Sequence, residues 1–104
     1  MVKVRIVKKD GLIISLEISG HANGGQYGQD LVCAGVSCVA IGLANALDRL
    51  ADECCTIAVT ENLVSIRVLN SEKTIQTILQ TGIIQFQTIE EKFPENIKIH
   101  ITEV

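Results

Sequence analysis

A chain of 104 residues, 47% hydrophobic and 20% charged, provides for one small globular domain spanning 1–104. Its formal charge of −3 and three aromatic residues argue against a broad electrostatic footprint on nucleic acid and against base stacking, so no direct nucleic-acid partner is expected. Four cysteines follow a start, MVKVRIVKKDG, that lacks the apolar run of a secretory signal, which predicts reduced thiols in a cytoplasmic protein.

In chain order, Val2, Val4 and Ile6 alternate with Lys3 and Arg5 as a period-two strand. With Lys8 and Lys9 this strand is basic, which reads as a solvated face. Lys9-Asp10-Gly11 has hairpin-turn chemistry. Leu12, Ile14, Leu16 and Ile18 alternate with Ser15, Glu17 and Ser19 in a second, antiparallel strand that ends at Gly20-His21. Residues 22–30 read as loop, with Asp30 as N-cap of a helix from about Leu31 to Leu50. Small residues recur along that helix (Ala34, Gly35, Ala40, Gly42, Ala44, Ala46), and apolar residues cover most of its circumference. Burial nearly all round is therefore expected, against the sheet and against a second surface such as a partner subunit. The stretch is short for a membrane span and holds Ser37 and Asn45, which favours a core helix and no membrane partner.

Strands over 55–60 and 63–69 flank Glu61-Asn62. Asn70 or Ser71 is the expected cap of a second helix carrying Ile75, Ile78, Leu79, Phe86 and Ile89, with Gly82 a weak point inside it and Pro94 placing its end near Lys92. Ile97, Ile99 and Ile101 alternate with Lys98 and His100 in the last strand, which leaves His100 facing solvent. The order ββαββαβ predicts an α+β two-layer sandwich: a mixed sheet of about five strands with two helices on one face.

The stretch SGHANGGQYGQDLVCAGVS, residues 19–37, carries the candidate chemistry. With Asp30 as N-cap, Cys33 is the third helical residue, where unpaired N–H groups and the positive end of the helix favour an anion. A thiolate is the nucleophilic form of cysteine, and the same N–H groups suit a developing oxyanion. His21, twelve residues earlier at a strand end, can share that rim as general acid and base. The intervening Gly24, Gly25 and Gly28 predict a flexible lid, with Tyr27 placed to touch substrate.

Plainer readings stand beside these. A helical cysteine is often a small buried hydrophobe, and a histidine after a strand is often structural. Asp30 serves either as the helix cap or as the group that orients His21. Ser37, four residues beyond Cys33 on the same helix face, bonds near the site or back to its own helix. Cys38 lies about 500° round the helix from Cys33 and shares no face with it. Cys54 and Cys55 sit at a strand start. Neither zinc-ligand spacing nor a P-loop is present, so no metal or cofactor is expected.

Gly20-His21-Ala22, Tyr27-Gly28-Gln29-Asp30 and Val32-Cys33-Ala34 with Val36-Ser37 resemble the bacterial ribosomal-processing cysteine proteases, the Prp family. The strand and helix order is similar too, so the resemblance covers the whole chain. It implies a peptidase that removes an N-terminal extension from a large-subunit ribosomal protein, the one numbered twenty-seven. It implies His21 and Cys33 as catalytic dyad, Asp30 and Ser37 in supporting roles, a homodimer, and a cleaved segment that is apolar and aromatic before the scissile bond. The alternatives are a non-enzymatic ribosome-assembly factor gripping the same protein and, less compatible with the faces of Cys33 and Cys38, a thiol redox sensor.

Overall fold

The first hairpin sets the frame. β1 (Val2–Lys9) and β2 (Leu12–Ser19) are joined by Asp10 and Gly11, whose φ angles of 52° and 79° give the mirror-image turn that matches the twist of paired strands. The chain continues through α1 (Gln29–Leu50), β3 (Cys55–Val59), β4 (Leu63–Val68), α2 (Lys73–Lys92) and β5 (Ile97–Glu103). This computed structural model describes the backbone of residues 1–20 and 29–104, and all side chains among them except those of 29 and 30. The sheet order is β3-β4-β2-β1-β5, parallel between β1 and β5 and antiparallel elsewhere. The expected α+β fold, with its ββαββαβ order and five-stranded mixed sheet, is the one observed.

The alternation expected in β2 fails at its first turn of sequence. The β1–β2 register shifts between Val7 and Lys8: Val7 pairs with Ser15 and Lys8 with Ile13, leaving Ile14 over. One extra residue reverses the phase of all that precedes it. Ile13 is buried with Leu16 and Ile18, while Leu12 is 46% exposed. The β2–β4 ladder ends at Ser15, and beyond it α2 bonds the peptide groups of Ile13. The Ile13 N–H donates to Gln76 Oε1 at 2.8 Å, and Gln76 Nε2 donates to the Ile13 carbonyl at 2.9 Å.

One face of the sheet is covered. Val2, Val4 and Ile6 of β1 and Leu16 and Ile66 beside them are buried against Val32, Val36 and Leu47 of α1 and Ile75, Leu79 and Phe86 of α2. The helices meet at Gly82, where a Cβ would stand 2.7 Å from Leu43 Cδ2. Gly82 was expected as a weak point in α2. Its low helix propensity is instead the condition for two helices to approach closely.

Burial of α1 is one-sided within the chain: Leu31 is 58% exposed and Ile41 39%, because the sheet and α2 cover a single stripe, and the second burial surface expected for it lies outside a single chain. Two further expectations are corrected. Leu31–Leu50 is long and apolar enough to cross a bilayer by length and composition, yet its buried stripe belongs to the core. The N-cap position of α2 is Glu72, in extended conformation and without a side-chain cap, rather than Asn70 or Ser71. The Ser71 hydroxyl accepts a hydrogen bond from Gln76 Nε2 at 3.1 Å instead. The helix ends at Lys92, where the Phe93 N–H closes on the Ile89 carbonyl and Pro94 follows.

Candidate active site

β2 leaves the sheet through Gly20, and only glycine fits there. Its φ is +89°, in the region L side chains avoid, and a Cβ would collide with the backbone carbonyl oxygen of Met1. The next residues, His21 with Gly24, Gly25, Tyr27 and Gly28, lie outside the described residues, as do the expected lid and the expected approach of His21 to Cys33.

α1 begins by Gln29, so its start is earlier than expected. Asp30 is a residue of the helix and not the cap that precedes it. Cys33 is the fifth residue of α1 rather than the third. An α-helix leaves only its first four N–H groups without intrahelical partners. The Cys33 amide is beyond them, so the thiol does not sit among the unpaired N–H groups as the sequence reading expected.

The Cys33 side chain is half-buried and lines a cleft of about 180 Å³. Its wall on α1 is Cys33, Val36, Ser37 and Ile41; Val2, Ile18 and Val64 form an apolar floor. The opposite wall is the turn between β3 and β4, with Thr60, Glu61 and Asn62. That hairpin is closed by the Thr60 N–H donating to the Leu63 carbonyl at 2.8 Å. Ser37, expected on the Cys33 face, is brought into the same cleft. An apolar floor, a polar rim and a thiol on the wall suit a peptide that buries one side chain and presents a backbone carbonyl beside it.

The four thiols are sorted by place. None forms a disulfide. Cys38 is exposed and faces a separate groove with Gly42, Ile78 and Gly82, away from Cys33. Cys54 and Cys55 pack on the core margin. Burial, and then the neighbouring Cys54, push the Cys55 thiol above its ordinary pKa, which disfavours the reactive thiolate there. Of the four, Cys33 alone lines the cleft. His100 is exposed on β5, at the opposite edge of the sheet from the β3–β4 hairpin, and does not reach it. The cleft residues that sequence reasoning missed are Ile41 and the hairpin tip, Thr60 to Asn62. The sequence marks that tip as a turn and carries no signal of what the turn faces.

The family model described as cysteine protease Prp matches residues 1–98. The ribosomal processing cysteine protease Prp of Staphylococcus aureus (strain Mu50 / ATCC 700699) is 39% identical over 99 residues, covering 90% of this chain and 92% of that protein. The protein of the same name from Bacillus subtilis (strain 168) is 33% identical over 94 residues, 84% of each. The crystal structure of the S. aureus protease with a substrate peptide is similar at a TM-score of 0.89 and 36% identity, covering 98% of this chain and 100% of that one. Its complex with a covalently linked product peptide gives 0.88 and 37%, with the same coverage.

Proposed function

The chain belongs to the Prp family of cysteine proteases, and from that premise we propose that it removes the N-terminal extension of a large-subunit ribosomal protein, the one numbered twenty-seven, by acyl transfer between Cys33 and His21. The observation that carries this reading is the position of Cys33, the one thiol of four on the wall of the apolar cleft. The S. aureus relative crystallised with a covalently linked product peptide supports a covalent step on the same fold.

In the proposed reaction Cys33 passes its thiol proton to His21 and Sγ attacks the scissile carbonyl, while an apolar side chain of the substrate fills the floor. The tetrahedral intermediate collapses as His21 donates a proton to the leaving amine, and the mature protein departs. The extension remains as a thioester on Cys33. His21 then takes a proton from water, the hydroxide attacks the thioester, and the extension leaves as a carboxylate with the thiol restored. No metal or cofactor enters. With Asp30 inside α1, its supporting role is to orient His21. Ser37 hydrogen-bonds the bound peptide from the cleft wall. Gly24, Gly25, Tyr27 and Gly28 are proposed as substrate-contacting residues. The enzyme works in the cytoplasm as a homodimer, whose second surface includes the exposed apolar side of α1 at Leu31.

The test follows product length when the extended ribosomal protein is incubated with the enzyme, with Cys33→Ala and with Cys38→Ala. Cleavage is lost only in Cys33→Ala, and that variant still binds the precursor. Cleavage that survives in Cys33→Ala ends the proposal.

A further inference from the structure

The sheet has a second face that the helices do not cover. Partners in register share a face, so its residues can be read in rows before the bulge. Lys98, Lys3, Ser19 and Leu63 form one row; His100, Arg5, Glu17, Ser65 and Ala58 the next; Thr102, Val7, Ser15, Arg67 and Thr56 the third. Four of the chain's nine Lys and Arg residues lie in these rows, against one of its twelve Asp and Glu residues. The net charge that argued against a nucleic-acid footprint is thus an average over two unlike surfaces. The cations run diagonally from Lys98 and Lys3 through Arg5 to Arg67. At strand and residue spacings of ~4.8 and ~3.4 Å, this track is roughly 20 Å long. All four side chains are exposed.

We propose that this open face docks on the phosphate backbone of RNA while the opposite side of the sheet holds the substrate. Several features favour a phosphate backbone. The cations stand among Ser, Thr and Ala, so the surface is flat and accessible. None of the residues in these three rows is an exposed large apolar side chain; Leu12, paired with Lys9 beyond the bulge, is a single exposed leucine at the edge, too little to anchor lipid insertion. Among the described residues these rows carry no aromatic side chain, which favours sequence-independent binding without base stacking. The choice of RNA among polyanions rests on the ribosomal reading of the substrate; the charge segregation does not. Glu17 pairs in register with Arg5 and is the one opposing charge on the track. It sets a limit on affinity that can be lifted.

The experiment is fluorescence anisotropy of a labelled oligouridylate with the full chain, without protein substrate, across a salt series. Binding is expected with a log–log salt slope of about −3, near −0.7 for each of four phosphates. Lys98→Glu with Arg67→Glu is expected to weaken it about tenfold or more at low salt, and Glu17→Gln to strengthen it about threefold. Should the charge reversals not fold, Lys98→Gln with Arg67→Gln reads the same direction with a smaller loss. None of these changes alters cleavage of a short peptide, because all lie across the sheet from Cys33. RNA binding that is absent, that is insensitive to salt, or that survives the reversals overturns the proposal. So does binding to phosphatidylglycerol vesicles in place of RNA. Failure of the protease reading would appear separately, as Cys33→Ala cleavage, with the RNA result unaffected.

Discussion

Small residues serve opposite ends at the start of α1 and where its middle crosses α2. Around Cys33 and Ser37 the helix stands off from the β3–β4 hairpin, and the space left is the cleft. Around Leu43 the same helix is met by α2 at Gly82, so closely that no Cβ fits without displacing Leu43. Packing is completed at the crossing and left open at the cleft, where the proposed function seats the substrate. Substitutions at the crossing should therefore change stability and leave chemistry alone, and substitutions along the cleft the reverse.

The largest stability effect is expected at Phe86, fully buried under the crossing. Phe86→Ala should cost about 3–5 kcal/mol, read from denaturant unfolding. Gly82→Val drives two methyl groups into Leu43 and should cost about 1–3 kcal/mol, with cleavage normal at temperatures where the variant is folded. Ile41→Ala, on the partly exposed cleft wall, should change stability by less than about 1 kcal/mol while lowering kcat/KM about tenfold, mainly through KM. If Ile41→Ala proves as destabilising as Gly82→Val, the contrast between the two regions is lost. The smallest effect concerns thiols away from the cleft. Exposed Cys38 should react with iodoacetamide before Cys55, by about tenfold or more near neutral pH. A raised thiol pKa means that Cys55 ionises later, so its labelling rate should still be climbing at pH values where that of a free cysteine peptide has levelled off.

The covered side of the sheet is legible in the sequence because alternation is a local property. Val2, Val4 and Ile6 announce their face without reference to any partner. The bulge at Ile14 is not legible, because its phase is set by what β1 pairs with and by the Gln76 amide that satisfies Ile13 from a distant helix. The same reason hides Thr60, Glu61 and Asn62, whose turn chemistry is local but whose position across from Cys33 is tertiary. Cys33 and Ser37 could be paired beforehand because four residues of helix place them on one face. Asp30 was misplaced by a residue or two, the ordinary uncertainty of a helix start, and that shift was enough to move Cys33 beyond the unpaired N–H groups. The charged track is visible only after the register aligns Lys98, Arg5 and Arg67, which are far apart in the chain.

The central claim is that Cys33 carries the acyl group. It is tested most directly by mixing enzyme with the extended ribosomal protein, quenching with acid within a single turnover, and measuring the intact mass of the enzyme. The expected result is an adduct equal to the released N-terminal extension, mapped by digestion to Cys33. Cys33→Ala should show no adduct and cleavage slower by at least about 10³-fold. An adduct on another residue, or full-rate cleavage by Cys33→Ala, would contradict the account.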